Sequence, residues 1–419
     1  MSRRIAIFTL LLCMSVVAMA QNDSILVTSK DTVAYRYTPM EQSTSQSRGS
    51  KGWQRFVEYI ERGNSESVGR QSIVFVPGLY YAPSTSLGLA LMAAGRYRLD
   101  KRGGNTPASD FSLYAAVSLT GYYRVGLKGN NIFRNDNQRL IYNAEFLSQP
   151  TNFWGVGYDA AMGNGALKYL ASRTIVNVRF LQKVTKGLYV GAGADYNYHF
   201  GKFGGSKYAS EEQFMARLGG EGAKYNALGI SLLVEYDIRD NIHNPQRGAY
   251  VALQAKVRPR GMSNVGQTLW AGYLTANYYQ RLWRGAVLAF DLRGELNSVG
   301  TPWVYNASIG GVQAMRGYYA GRFNDLCAIT LQAELRQNIY RRLGAVAWGG
   351  AGNVFHSFAT FDITQTLPTY GVGLRYEVKR NINFRFDYGF GGRDRRGKLV
   401  NGFVFSMSEI GRASCRERV

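Results

Sequence analysis

Apolar and polar residues alternate strictly along most of this chain. Between Leu331 and Arg336, leucine and alanine fall on one face, whereas glutamine, glutamate and arginine fall on the other. A period of two is typical of a β-strand with one apolar and one polar face. From Ile73 to Met407 about sixteen segments repeat this pattern. We therefore predict an all-β chain.

The connections between these segments differ in length. Short ones, such as Lys186 and Gly187, alternate with long polar ones over residues 160–172 and 201–224. Outer-membrane barrels have short periplasmic turns and long external loops in this arrangement. Aromatic pairs such as Tyr278 and Tyr279 lie near strand ends, where interface girdles form. The sequence thus predicts a transmembrane antiparallel β-barrel of about sixteen strands, apolar outside and polar inside.

Two soluble all-β folds explain the pattern less well. A β-propeller requires a repeat of about 40 to 50 residues, and the sequence has no such self-similarity. Stacked sandwiches do not account together for a secretion leader, long loops on alternate connections and aromatic strand ends.

The first twenty residues have the features of a signal peptide. Two arginines precede an apolar run, and the sequence AMA forms an A-x-A cleavage site before Gln21. Residues 21–70 are polar and predict a periplasmic lead, and the barrel is predicted over residues 71–409. In the lead, Trp53, Phe56, Val57 and Ile60 recur at helical spacing. They predict a short amphipathic helix, which either anchors on the periplasmic rim, plugs the lumen or binds a partner.

The last ten residues, 410–419, carry three arginines without alternation and match the translation of a common sequencing adapter, so we treat them as an artefact. Leader and tail together contribute four positive charges to the formal net charge of +22, which leaves +18 for residues 21–409. A secreted, strand-rich chain without a basic helix is a poor candidate for nucleic-acid binding. Contact with outer-leaflet phosphates or with an anionic partner in the lumen explains the surplus better.

Residues that carry catalysis are not grouped in the sequence. The three histidines, His199, His243 and His356, fall in separate strand ends or loops, and we find no serine elbow or paired carboxylates. Outside the leader and tail, Cys327 is the only cysteine, so neither a disulfide framework nor a metal cluster is expected. The glycine run at 349–352 lacks the helix and lysine of a phosphate loop, and instead lets a strand bend or an inserted loop approach the wall. We expect no catalytic residue, cofactor, metal or enzyme activity, although a barrel enzyme built from distant strands stays an alternative.

One loop carries a resemblance to a known family. Met315, Arg316, Gly317 and Tyr318 resemble the (V/I)-R-G-(F/Y) signature of the inward-folded loop in the BamA/TamA family of outer-membrane barrels. Residues 370–376 and 385–390 are similar to its late-strand motifs.

In that family the loop arginine reaches into the lumen and is held there by acidic residues. The resemblance implies a loop lock of Arg316, Gly317 and Tyr318, and the alternation places Glu334 and Asp387 on inward faces as candidate partners. The family's usual aspartate lies in an F-x-D-x-G pattern, but the matching segment here, 348–352, has glycine at the acidic position. The alternative is a solvated arginine in an external loop.

A second motif lies between two strands. Asp237, Arg239, Asp240, Pro245 and Gly248 resemble the family's D-x-R-D...P-x-x-G segment. From the residues alone, the motif predicts a periplasmic strand–turn segment held by an Asp–Arg contact.

The resemblance implies a protein of the bacterial outer membrane that helps to assemble, insert or translocate outer-membrane proteins or other envelope components. Its expected partners are outer-membrane lipid, periplasmic assembly factors and nascent outer-membrane proteins, and a monomer is expected. The lead is too short for one of the POTRA modules that relatives carry. The alternative is a passive channel or structural surface protein without assembly activity.

Overall fold

The computed structural model describes residues 72–82, 86–99, 108–218, 222–241, 244–311, 315–340, 342–379, 382–393, 397 and 399–408. All of them belong to one compact unit, Phe56–Val419. The predicted leader, the lead with its helix and the tail lie outside the described residues.

The described chain is built almost wholly of β-strands. In order, the first nine strands are β1 Ser72–Ala82, β2 Ser86–Tyr97, β3 Ser109–Ser118, β4 Tyr123–Ile132, β5 Gln138–Phe153, β6 Leu167–Thr185, β7 Leu188–Lys202, β8 Lys224–Asp237 and β9 Gly248–Arg258. The others are β10 Leu269–Arg281, β11 Ala286–Asn297, β12 Ala307–Ile309, β13 Phe323–Asp325, β14 Cys327–Tyr340, β15 Leu343–Phe355, β16 Leu367–Lys379, β17 Ile382–Arg393 and β18 Leu399–Ser408.

Two short α-helices lie in the connections. They are α1 (Tyr158–Gly163) and α2 (Glu211–Arg217), and Ser210 and Gln213 form a capping box at the start of α2. In the described ranges, neither helix is long and apolar enough to cross a membrane.

Sixteen strands form a closed antiparallel barrel, which confirms the predicted fold class. Each strand pairs with its sequence neighbours, except that β11 pairs directly with β14 because β12 and β13 form a separate two-stranded sheet in the connection between them. The barrel closes where β1 meets β18, at Tyr81 and Phe405.

The outer surface of the barrel is apolar. In β16, Tyr370, Val372 and Leu374 are 47%, 61% and 50% exposed, whereas the alternate residues Thr369 and Arg375 are buried. Large apolar side chains that face outward, with polar ones inside, are the reverse of a soluble barrel and match a protein surrounded by lipid. The predicted apolar outside and polar inside are confirmed.

The prediction of connection lengths needs two corrections. Residues 167–172 are not loop but the start of β6, because their backbone pairs with β5 from Phe153 to Ser148 although polar residues interrupt the alternation.

At one end, called here the loop end, lie the long connections 154–166, 203–223, 259–268, 298–326 and 356–366. The opposite, turn end has short connections from β6 onward, apart from residues 238–247 between β8 and β9. The first strands reverse this rule, since residues 83–85 and 119–122 are short at the loop end and residues 98–108 are long at the turn end.

The connection between β11 and β14 enters the barrel and has an apolar core of its own. Ile309, Met315, Tyr318 and Phe323 of this connection are each 4% exposed or less, and they pack with Val354 of β15. Burial of these side chains fixes the connection against the inner wall through the hydrophobic effect. This apolar contact determines where the tip of the connection lies.

Candidate functional site

The tip of the inserted connection places Arg316 against the inner faces of β14 to β17. Arg316 is 1% exposed, and its neighbours Met315 and Gly317 have positive φ angles of 54° and 112°. Glycine adopts such angles without the steric cost that a side chain adds. The guanidinium faces the wall, as its contacts with β14 and β17 show.

Two carboxylates bind the Arg316 guanidinium. Nη1 lies 3.0 Å from Asp387 Oδ2, and Nη2 lies 2.5 Å from Glu334 Oε2. Asp387 is completely buried, and Glu334 is 9% exposed. A buried guanidinium is stable only with such partners, because desolvation of an unpaired charge costs several kcal/mol. The structure thus brings Arg316, Glu334 and Asp387 together.

Three further arginines surround the same two carboxylates. Arg375 forms an ion pair with Asp387, Arg385 Nη2 lies 3.0 Å from Asp387 Oδ2, and Arg336 Nε lies 2.7 Å from Glu334 Oε1. Four cations thus share two anions. Removal of either carboxylate would leave several buried positive charges in repulsion.

An aromatic residue occupies the wall beside the arginine. The Arg316 guanidinium lies 3.8 Å from the centre of the Trp348 ring, which is 5% exposed. A desolvated cation–π contact of this kind stabilises a guanidinium by about 2 kcal/mol. In place of an aspartate at Gly350, this chain uses Glu334 and Asp387 from other strands, with Trp348 stacked on the guanidinium. The sequence analysis did not predict a role for Trp348. The available indication was that Trp348 begins the segment 348–352, in which glycine replaces the acidic residue of the family motif.

Glycines in the wall allow the tip to approach the strands closely. A methyl group on Gly389 would lie 2.5 Å from the Arg316 carbonyl oxygen, and one on Gly352 would lie 2.9 Å from Met315 Sδ. A methyl group on Gly391 would overlap the Tyr318 ring. The glycine run of β15 therefore includes one residue, Gly352, that borders the inserted tip.

Polar contacts hold the rest of the tip. The Tyr318 hydroxyl donates to Pro368 O at 2.8 Å and accepts from Gly392 N at 2.5 Å, while Thr369 Oγ1 donates to Arg316 O at 2.7 Å. Burial raises the pKa of the Tyr318 hydroxyl, so this group stays protonated and can donate. Tyr318 thereby ties the tip to both β16 and β17.

Removal of the Tyr318 hydroxyl is expected to destabilise the docked tip. Tyr318→Phe leaves Gly392 N–H and Pro368 O without this partner, so the free energy of unfolding should fall by about 1–3 kcal/mol. Urea unfolding of the detergent-folded barrel, followed by gel mobility, measures the change. Tyr278→Phe is the matched control, because Tyr278 is 49% exposed and its hydroxyl donates to Gln280 on the outer face. Equal stability of both variants would contradict the role of the Tyr318 hydroxyl.

The second motif forms a compact turn at the turn end. Arg239 donates from Nε to Asp237 Oδ1 at 2.8 Å, and Asp240 Oδ1 accepts from the backbone of Gln246 at 2.9 Å. Pro245 is buried, and Gly248 has a φ of 106°, where an added methyl group would collide with the backbone of residue 238.

The two motifs lie on different parts of the wall. The turn joins β8 to β9, whereas Arg316 rests on β14 to β17. Among the described residues, no group of three His, Cys, Asp or Glu side chains could hold a metal ion. The structure therefore separates a structural turn from the buried arginine site.

Comparison with known proteins identifies similar barrels. The Omp85 superfamily domain matches residues 121–410. BamA from Haemophilus ducreyi lacking POTRA domains 1-3 aligns with a TM-score of 0.54 at 12% identity, over 88% of this chain and 80% of that chain. CdiB from Escherichia coli aligns with a TM-score of 0.55 at 10% identity, over 84% and 69%.

CdiB from Acinetobacter baumannii aligns with a TM-score of 0.50 at 13% identity, over 85% of this chain and 68% of that chain. With sequence identities of 10%, 12% and 13%, these three solved structures show that the fold is shared. A search among curated protein sequences finds no significant match.

Proposed function

Because this chain belongs to the Omp85 superfamily and is a barrel of the bacterial outer membrane, we propose that it helps to insert or translocate outer-membrane proteins. The seam between β1 and β18 is the proposed route. The inserted loop with Arg316 is the proposed lock that keeps the last strands in place.

The pairing at the seam is the observation that carries this proposal. β1 pairs with β2 along its whole length, from Ser72 to Ala82, but among the described residues it pairs with β18 at Tyr81 and Phe405. In this register residues 78–80 of β1 lie opposite residues 406–408 of β18 without a paired position, and an incoming strand can satisfy backbone donors and acceptors there by β-augmentation. A short seam therefore supports lateral opening.

The inserted loop extends to the strands beside that seam. Gly317 lies against the backbone of Gly389 in β17, and its carbonyl oxygen is 3.4 Å from where a methyl group on Gly402 in β18 would lie. A change in loop position would therefore alter the packing on β17 and β18 directly. This contact supports a coupling between the loop lock and the seam.

A staple across the seam is expected to abolish activity. Tyr81→Cys with Phe405→Cys places a disulfide across β1 and β18, since these residues are directly opposed. Assembly of other barrels should stop on oxidation and recover on reduction, as measured by the folded fraction of outer-membrane proteins. The matched control is Val372→Cys with Tyr388→Cys, an opposed pair across β16 and β17. Full activity with the oxidised seam staple would exclude lateral opening.

A passive channel is the second candidate, and an internal cavity favours it. The cavity measures about 180 Å³ and lies among inward-facing charged side chains of β4 to β9. Deletion of the gene separates the two functions. Impaired assembly of other barrels supports insertion or translocation, whereas unchanged envelope composition with altered solute permeability supports the channel.

A further inference from the structure

A second cluster of charged groups lines the lumen on the side opposite to the Arg316 site in strand order. The cavity of about 180 Å³ is bordered by β4 to β9 and by Tyr305 of the inserted connection. None of the residues that bind Arg316 borders it. The lining is therefore a separate site in the same barrel.

The lining carries more cations than anions. Eight arginine and lysine side chains border the cavity, compared with four aspartates and glutamates. Each carboxylate already lies in an ion pair, as Glu145 does with Arg124 and Asp195 with Lys256. Asp136, outside the lining, also pairs with Arg139 and reduces the surplus to three positive charges, which attract anions.

Two arginines of the lining form no ion pair with a described carboxylate. Arg258 is 2% exposed, its guanidinium lies 4.9 Å from the Tyr305 ring centre, and its Nε has no hydrogen-bond partner. Arg173 also has an unpartnered Nε, and it lies directly opposite His199 in the pairing of β6 with β7. Both guanidinium groups border the cavity and retain donors for a ligand.

His199 adds an unused polar group to the same cavity. It is 3% exposed, and neither ring nitrogen has a hydrogen-bond partner among the described residues. The Trp303 ring packs against it, with centroids 5.5 Å apart. Buried polar atoms without partners cost free energy, so a ligand or water that accepts from His199 is favoured.

We propose that this cavity binds a soluble dianion of the phosphate or phosphate-monoester class, held by Arg173 and Arg258 with His199 as a further donor. The planar guanidinium groups suit the oxygens of a phosphoryl group, and a dianion offsets more of the surplus charge than a monoanion does. Because the cavity lies on the inner side of the wall, the ligand is a soluble anion rather than a lipid headgroup.

Titration of the full-length, detergent-folded barrel with sodium phosphate tests the proposal by calorimetry, with sodium chloride at equal ionic strength as the reference. The double variant Arg173→Gln, Arg258→Gln should weaken phosphate binding by about tenfold or more for each lost charge-assisted hydrogen bond. Arg293→Gln is the matched control, since Arg293 pairs with Asp291 outside the cavity lining and should leave affinity unchanged.

His199→Phe keeps a ring in place and removes the N–H donor, so it should also weaken binding even if the double variant fails to fold. Glycerol phosphate should compete with inorganic phosphate, and affinity should be equal in nanodiscs with and without anionic phospholipid. Absence of phosphate binding beyond the chloride reference would overturn the proposal, as would undiminished binding by the folded variants. Competition by anionic lipid would place the site on the membrane face and overturn it equally.

Discussion

Replacement of Asp387 by asparagine is expected to lower the free energy of unfolding of the barrel by about 3–5 kcal/mol, because the change leaves buried guanidinium groups without their anion. Asp387 is fully buried and contacts Arg316, Arg375 and Arg385. Asparagine has nearly the same shape but no charge, so the loss is electrostatic. Urea unfolding of the detergent-folded barrel, followed by gel mobility, measures it.

Asp291→Asn is the matched control for Asp387→Asn. Asp291 also lies on a strand and pairs with one arginine, Arg293, at 3.0 Å, but these side chains are 18% and 31% exposed. This pair is only partly buried and involves one arginine, so its loss, together with the hydrogen bond from Asn277, should cost about 1–2 kcal/mol, well below the loss at Asp387. Equal losses at Asp291 and Asp387 would show that the buried network has no special part in stability.

Alanine at Gly389 is expected to displace the inserted tip from the wall. The added methyl group would lie 2.5 Å from the Arg316 carbonyl oxygen and 2.9 Å from the backbone nitrogen of Gly317. Backbone atoms cannot rotate away as a flexible side chain does, so the contact is relieved by undocking of the tip. Trypsin cleavage after Arg316 should then accelerate by about tenfold for each 1.4 kcal/mol of weakened docking.

Gly349→Ala provides the control for the Gly389 substitution. Gly349 is also a strand glycine, in β15, but an added methyl group there has no other heavy atom within 4 Å. Both glycines lie in extended backbone, but Gly349 is on the outward face of β15, opposite to that of Trp348, so its methyl group cannot reach the tip. Rapid cleavage of both variants, or of neither, would contradict the docking of Arg316 and Gly317 on β17.

The strict alternation predicted the strands and the inward faces of Glu334 and Asp387, and with the leader, the loop lengths and the aromatic strand ends it predicted the barrel. Side-chain parity along a strand depends on the backbone alone and survives any error of a few residues in strand ends. It does not tell which strands face each other across the lumen. The convergence of Glu334, Asp387 and Arg316 depends on how deeply the inserted connection is seated, and only the structure shows this.

The contacts that Gly389 and Trp348 make with the tip could not be predicted from the sequence either, because they too depend on where the tip lies. Trp348 faces Arg316, and Gly389 faces its carbonyl oxygen, because the apolar core of Ile309, Tyr318 and Phe323 positions the tip. Such contacts join residues that are distant in the sequence and carry no periodic signal. The early part of β6 was likewise missed, because its pairing with β5 continues where polar residues interrupt the alternation.

The central claim is that the tip with Arg316 lies inside the barrel, held by Glu334 and Asp387. Labelling of Met315→Cys on intact cells with a membrane-impermeant maleimide tests it most directly, because Met315 is 1% exposed. Phe358→Cys, at a position 72% exposed in the loop after β15, is the reference. We predict that residue 315 stays unlabelled unless Asp387→Asn is also present, whereas labelling as fast as at residue 358 would contradict the account.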